Sequence, residues 1–452
     1  IPEKISCENL FNIDITEIEG LDYLHQPSGV IKDSQDLAAK AFGAKRTFFL
    51  VNGSTVGVIS MIMSSVLPGQ KILLQRNSHQ SAISGLTLGR CVPVWIKPEV
   101  VSDIQVATGI IPEKFERVIL DNPDAKAVLL TSPNYLGMTQ NMKDLIDVAH
   151  KYNIIVLVDE AHGAHFHFSN KLPPSSVDLG ADMITQSTHK NLPTLTQTAL
   201  LHLNSNRCNM QRLKAVLSML QSSSPSYLLM SSIDCCIEML TKQDGSFIGK
   251  AVDEAIDVAN YGRKEICKID LLDVIDDSII GSFGVSGVDK TKLSINVTKT
   301  GMSGLKIKSI LHKKYGIEIE CASVNYILCF VTNANTKGDI DKLASSLAEI
   351  VSIEQNKIEN TSFMLRIKEF HEIPKQMFTP AEAFYKDYET VNLEESIGRI
   401  SKNSITPYPP GIPYVCPGEI ISATLVQEFK DLTIKGAFIQ GINHNDVEVI
   451  NS

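Results

Sequence analysis

The sequence predicts an α/β sandwich, in which a mainly parallel sheet of seven strands is covered by helices and followed by smaller α+β structure. Three observations predict it. Seven short runs, Lys45–Val51, Lys71–Arg76, Val92–Ile96, Ala127–Thr131, Ile154–Val158, Met183–Gln186 and Thr198–Leu203, are β-branched or leucine-rich without strict alternation, as strands buried on both faces are. Helical stretches lie between them, clearest in Asn141–Tyr152, which is the rhythm of a sheet wrapped on both sides. Polar residues fall just past the strand ends: His79, Ser132-Pro133-Asn134, Asp159-Glu160-Ala161-His162 and Lys190. Ligands of open α/β sheets bind at that edge.

The elements follow in order. Residues 1–20 show no strong period and read as an arm. Ser34–Phe42 has apolar residues at helical spacing and stops at Gly43, a C-cap signal. Asn52-Gly53-Ser54-Thr55 turns the first strand into an apolar helix through Ser65. Strand, glycine, hydroxyls and helix together offer backbone N–H groups and a positive dipole end to a phosphate; a plain Ser/Thr N-cap uses the same residues. With the strands above, 21–265 is expected to be one large domain. Ser246–Ile269 reads as a long bridging helix, and 266–360 mixes strands such as Ser323–Val331 with helices such as Asp339–Ile350. A C-terminal segment, 361–452, carries the proline-dense Thr406–Glu419, too stiff for a helix or a central strand.

Composition bounds the function. The chain has 452 residues, 43% of them hydrophobic, enough for a large core in two or three domains. A formal net charge of −9 without a basic run argues against a nucleic-acid partner. No apolar run reaches transmembrane length, and IPEKISCENLF lacks the regions of a signal peptide. The nine cysteines are scattered without C-x-x-C spacing, so reduced thiols in a cytoplasm are expected.

The stretch ADMITQSTHKN, Ala181–Asn191, organises the site. A lysine held at a strand end beside a hydroxyl and an imidazole can form a Schiff base, because burial and neighbouring cations lower its pKa; Lys190 read alone is also an ordinary surface charge. Asp159 ends the apolar run IIVLV, where a carboxylate is costly unless it meets a cation or is fully hydrogen-bonded. That cation can be the protonated pyridine nitrogen of pyridoxal phosphate, or the residue can be an N-cap or a structural ion-pair partner. Lys190, one strand further on, makes the other end of a cofactor-sized site. His162, His165 and His167 invite a metal with Asp159 as fourth ligand. His165 and His167 share a face if Phe166 is in a strand, but no second cluster completes a cage, and no metal is expected. His79 is either a surface imidazole or a flat ring for a flat cofactor.

Eight blocks resemble, in this order, the ornithine/lysine/arginine decarboxylases of the aspartate-aminotransferase fold: LDYLHQPSGVIKDSQDLAAKAFGAKRTFFLVNGST, RNSHQSA, TSPNYLG, VDEAHGAHF, ADMITQSTHK, LTQT, QSSSPSYLLMSSID and GRISKNSITPYPPGIPYVCPGE. The resemblance spans Leu21 to Glu419 and is to the short members without an N-terminal wing domain; the P-G-H-K-like block that such relatives carry upstream is not in this sequence. It implies that the large domain binds pyridoxal 5'-phosphate. Lys190 would carry the Schiff base, Asp159 would pair with the pyridine nitrogen, and His79 would stack on the ring. Ser54, Thr55, Ser187 and His189 would surround the phosphate, Ala161 would pack beneath the ring, and His162 would sit near its hydroxyl or the substrate carboxylate. Glu419 would meet the basic end of a substrate side chain, although the residue read alone is also a solvated loop carboxylate. Ser222–Tyr227 matches a segment near a dimer interface, so a homodimer with shared sites is expected. The activity implied is decarboxylation of a basic amino acid (arginine, lysine or ornithine), with a fold-type-I aminotransferase or other lyase, or a regulatory relative without turnover, as alternatives.

Overall fold

The computed structural model describes residues 10–242, 246–355, 373–408 and 411–451. Residues 1–9 of the expected arm, the start of the C-terminal segment through 372, and Pro409-Pro410 lie outside them. The chain divides into two compact units: Ile1–Ile96, Pro112–Asn134 and Asn141–Lys250 form the first, and Lys97–Ile111, Tyr135–Gln140 and Ala251–Ser452 the second.

The first unit is built on seven strands, β1 (Arg46–Leu50), β2 (Lys71–Gln75), β3 (Val92–Ile96), β4 (Ala127–Thr131), β5 (Ile155–Asp159), β6 (Met183–Gln186) and β7 (Ala199–Leu203). They lie in the order β1-β7-β6-β5-β4-β2-β3. Pairing is parallel from β6 to β3, and β7 alone runs against both neighbours, β6 and β1. Two reversals leave β1 pointing the same way as β6. The C-terminal ends of β1, β2, β5 and β6 therefore lie at one edge, and every sequence-predicted residue of the first unit's site sits at one of these strand ends or on the segment that leaves it. Strands β6 and β7 are buried throughout, which is why their sequences show no strict alternation of apolar and polar residues.

Helix α1 (Val30–Ala41) starts four residues earlier than its apolar spacing indicates. The reason is distant: the Asp22 carboxylate accepts the N–H groups of Ser28, Gly29, Ile31 and Lys32 at 2.8–3.2 Å, doing for the helix start what an N-cap side chain ordinarily does. Its end is local. Gly43 at φ +69 lets Ala44 N–H reach Ala39 O (2.9 Å) and Gly43 N–H reach Lys40 O (3.3 Å), a Schellman closure. Helix α2 (Gly53–Ser65) buries Val56, Val58, Ile59, Met61 and Ile62, each worth about 2 kcal/mol of transfer free energy. A Cβ at Gly57 would stand 2.1 Å from Thr185 Oγ1 on β6, so the helix axis lies against the sheet itself. Helix α3 (Gln80–Gly89) follows β2, and helix α4 (Met142–Lys151) begins at Asn141, whose side chain accepts Asp144 N–H.

In the second unit an antiparallel sheet is formed by β8 (Asp273–Val274), β9 (Lys292–Asn296), β10 (Cys321–Ala322) and β11 (Tyr326–Phe330), in the order β8-β9-β11-β10. Leu293, Ile295 and Ile327 from this sheet and Ile307, Leu311 and Leu347 from helices Gly304–Tyr315 and Lys337–Gln355 share one core. A further core around Val415, Phe429 and Val449 gathers the C-terminal residues. Of the proline-dense stretch, Thr406–Tyr408 pairs with Phe438–Gln440 as a two-stranded ribbon, the edge position that a strand proline tolerates. Among the described residues no helix is long and apolar enough to cross a membrane.

Gly57→Ala is expected to destabilise the protein by about 1–3 kcal/mol, the usual cost of forcing a methyl group into a filled space. Urea unfolding measures it; a variant within about 0.5 kcal/mol of wild type, the range of an ordinary surface change, would contradict the close approach of α2 to β6.

Candidate active site

Lys190 lies in a single helical turn, Thr188–Asn191, that leaves the end of β6 through Ser187. Hydroxyls pin this turn to the start of β7: Thr188 Oγ1 is 2.9 Å from Thr198 Oγ1, Thr194 Oγ1 donates to Thr188 Oγ1 at 3.0 Å, and His189 Nδ1 is 2.8 Å from Thr198 O. The backbone beneath the lysine is thus fixed while its side chain stays half-buried. Lys190 Nζ is 2.9 Å from His162 Nε2, close enough for a proton to pass between them.

Asp159 is the last residue of β5, opposite Thr185 of β6, and its carboxylate is buried, with Oδ1 accepting Ala161 N–H at 3.1 Å. Burial raises its pKa, and the charges of His79 and Lys190 oppose the rise. The three groups therefore share one electrostatic neighbourhood. Burial lowers the pKa of His79, Asp159 pulls it back up and Lys190 pushes it down. His79 is exposed as a residue, but protein crowds its imidazole closely enough for burial to dominate. His79 Nδ1 accepts Ser81 N–H at 3.2 Å as the N-cap of α3, so the neutral ring carries its proton on Nε2. Ala161 is buried in the turn beyond Asp159.

The start of α2 comes to the same edge. Ser187 Oγ donates to Ser54 Oγ at 2.9 Å, while Asn52, the N-cap, makes no side-chain capping bond and Gly53 has φ +73. Ser54 and Thr55 are thus first-turn residues and not the cap, and Thr55 is exposed. Hydroxyls and first-turn N–H groups converge here in the manner of a phosphate cradle.

The three histidines part company. His162 turns to Lys190, and His167 lies 3.0 Å from Asp178, whose hydrogen bond raises its pKa. Phe166–Phe168 is a 3₁₀ turn, so the conditional strand through Phe166 is corrected and His165 and His167 do not share a strand face. Glu419 belongs to the second unit. It is fully buried and not a solvated loop carboxylate: Oε2 accepts Cys416 N–H at 2.6 Å, and its carbonyl accepts Ser401 N–H at 2.8 Å.

One residue escapes the sequence reading. Glu160, next to Asp159, is 1% exposed, and its carboxylate accepts Ser175 Oγ–H at 2.6 Å, Ser176 N–H at 2.7 Å and Gln186 Nε2–H at 2.7 Å. Burial drives its pKa up to about 7 against these three donors. His202, behind Gln186, is held neutral by burial, with its pKa down to about 3. The only sequence signal was a second carboxylate at the end of a buried strand, where neighbouring side chains take opposite faces.

Residues 4–339 match the Orn/Lys/Arg decarboxylase major domain and residues 364–437 the C-terminal domain of the same family. The chain belongs to the Orn/Lys/Arg decarboxylase family. It is 36% identical over 446 residues to an arginine decarboxylase of Bacillus subtilis, covering 98% of this chain and 89% of the relative. To the constitutive lysine decarboxylase of Escherichia coli it is 22% identical, covering 91% and 68%. Among solved structures, the lysine decarboxylase of Francisella novicida superposes with a TM-score of 0.83 at 21% identity, covering 98% of this chain and 75% of that one. The serine palmitoyltransferase of Sphingomonas wittichii does so with 0.57 at 14%, covering 72% and 77%. The fold of this decarboxylase-family chain is therefore that of the fold-type-I pyridoxal-phosphate enzymes.

The Glu160 environment generates a stability test. Its folded pKa of about 7 lies above the ordinary carboxyl value of 4.5, so the native state binds the proton more tightly and stability falls as pH rises through that window. His202 acts in the other direction, costing stability as pH falls below 6.5, so the comparison must be between variants. Between pH 5 and pH 8, Glu160→Gln is expected to gain up to about 3 kcal/mol relative to wild type, measured as urea midpoints. A constant difference across that range would mean that Glu160 does not carry the shift.

Proposed function

We propose that this family member is a pyridoxal-phosphate-dependent decarboxylase of a basic amino acid, which it converts to the corresponding amine and carbon dioxide. The observation that carries the reading is the 2.9 Å contact of Lys190 Nζ with His162 Nε2, made beside the buried Asp159 carboxylate. The donor set fits the cofactor. Asp159 is a buried anion at a strand end with a single backbone donor to Oδ1, and it gains most from a cation such as a pyridinium. Ser54, Ser187 and the first turn of α2 match a phosphate, with Thr55 and His189 as further ligands. His79 and Ala161 would flank the ring.

When bound, the cofactor supplies an electron sink for the pair left behind by the departing carboxylate. The remaining work falls to the chain. His162 Nε2 takes a proton from the Lys190 ammonium, which leaves the amine nucleophilic, and can return it. Asp159 would hold the proton on the pyridine nitrogen, because its buried charge is lowest in energy beside a cation. The pinned Thr188–Asn191 turn keeps the Lys190 backbone in place while the side chain moves. Arginine ranks first among the three basic substrates, supported by the 36% identity to the Bacillus subtilis enzyme. Glu419 is assigned to the basic end of the substrate side chain, and the functional unit is a homodimer.

Borohydride reduction of the protein with pyridoxal phosphate is expected to fix the cofactor on Lys190, detected by mass spectrometry of the peptide containing it. A Lys190→Ala protein that still retains reducible, covalently bound cofactor would contradict the assignment.

Carbon dioxide release from arginine, lysine and ornithine tests the substrate class directly. Arginine is expected to give the highest kcat/KM. Glu419→Gln should raise KM for arginine by about tenfold or more, the effect of lost ground-state binding, with cofactor affinity unchanged. Turnover of an acidic or aromatic amino acid in place of the basic ones would reject the reading.

A further inference from the structure

Behind the site, a chain of hydrogen bonds crosses four neighbouring strands. Thr47 on β1 lies 2.8 Å from His202 Nδ1 on β7, His202 Nε2 lies 3.1 Å from Gln186 Oε1 on β6, and Gln186 Nε2 lies 2.7 Å from Glu160 Oε1 at the end of β5. All four residues are buried, Thr47 at 3% exposure, Glu160 at 1%, and Gln186 and His202 at 0%. When ionised, the Glu160 carboxylate only accepts, and in that state it sets the direction of every bond. Gln186 must present its NH₂ to Glu160 and its carbonyl to His202. His202 must then carry its proton on Nε2 and accept from Thr47 at Nδ1. Ser175 Oγ–H and Ser176 N–H close the remaining sides of the carboxylate.

We propose that Glu160 is a positioning residue for the Lys190–His162 pair, acting through its bond to Gln186. Gln186 is the residue before Ser187, from which the turn bearing Lys190 departs. Glu160 follows Asp159 and precedes Ala161 and His162. The 2.7 Å bond between their side chains therefore ties together the two chain segments whose reactive ends meet at 2.9 Å. The backbone repeats the tie, with Glu160 N–H donating to Thr185 O at 3.0 Å, and Gly163 N–H closes the turn beyond Glu160 on its carbonyl at 2.9 Å. The turn also packs onto the glutamate stem, since a Cβ at Gly163 would stand 2.6 Å from Glu160 Cγ. Replacing the carboxylate by an amide leaves one of three inward-pointing donors facing another donor, and the turn that carries His162 must shift to relieve it.

The activity part of this inference rests on the decarboxylase reading. The test uses the full chain, Glu160→Gln and Gln186→Leu, all assayed well below their melting temperatures. With pyridoxal phosphate and arginine, kcat is expected to fall about tenfold to a hundredfold for Glu160→Gln, the scale of a displacement of about 1 Å at the reacting groups, with KM within about threefold. Gln186→Leu should fall less, and its result decides the matter if Glu160→Gln does not fold. The second readout needs no turnover: the ring ¹⁵N signals of His162 in the protein without cofactor should move in both variants. A role confined to stability would lower the melting temperature and leave kcat and those signals alone, which overturns the proposal. If the wild type releases no carbon dioxide from arginine, lysine or ornithine, the functional reading fails by itself, and the His162 signals still decide the role of Glu160.

Discussion

The parallel pairing of β5 with β6, in which Asp159 stands opposite Thr185, is the constraint on which the candidate site depends. It brings two strand ends together at one sheet edge, one continuing into His162 and the other into Lys190. A slip of one residue would send Asp159 to the other face of the sheet and exchange it with Glu160. Helix α2 reinforces the register from above, because Gly57 rests on Thr185 with no room for a side chain between them. The same helix brings Ser54 to Ser187. One contact between glycine and strand thus sets the distance between the phosphate-type cradle and the lysine.

Two adjacent carboxylates at this strand end meet different fates, and the difference is chemical. Glu160 receives three hydrogen bonds from the protein, the arrangement a buried anion requires when it has no cation. Asp159 Oδ1 receives one, from its own turn, and its charge is answered electrostatically by His79 and Lys190. A carboxylate left with acceptor capacity beside titratable cations is the one prepared to meet a further positive group. The first carboxylate is held on its sides by protein donors, and the second keeps acceptor capacity beside two titratable groups.

The second unit follows the same rules with different partners. Lys402 is 9% exposed, and its ammonium donates to the carbonyls of Ala383, Phe384 and Lys386 at 3.0, 2.7 and 2.6 Å, closing the end of helix Pro380–Tyr385. Lys292 and Asp289 are buried together at 3.4 Å, with the ammonium 5.0 Å from the Phe330 ring centre. Lysines of this kind cannot be told from surface lysines by local sequence, because burial is decided by what folds over them.

By itself the sequence determined which segments become the strands of the large sheet, because strands buried on both faces read as short, near-continuous apolar runs without the period of the helices between them. It also determined that Asp159, His162, His79 and Lys190 lie at or just past strand ends, since a polar residue ending such a run has no other place to go. The tertiary structure decided the rest. It extended α1 upstream through Asp22, whose helix-capping role depends on a contact across a loop. It made a 3₁₀ turn of Phe166–Phe168 and sent His162 and His167 to separate partners. It buried Glu160 among Ser175, Ser176 and Gln186 and tied that cluster through His202 to Thr47 at the far edge strand. The physical reason is common to all of these: periodicity reports which face of an element avoids water, whereas the partner of a buried polar group is chosen by strand order, which no single stretch of sequence contains.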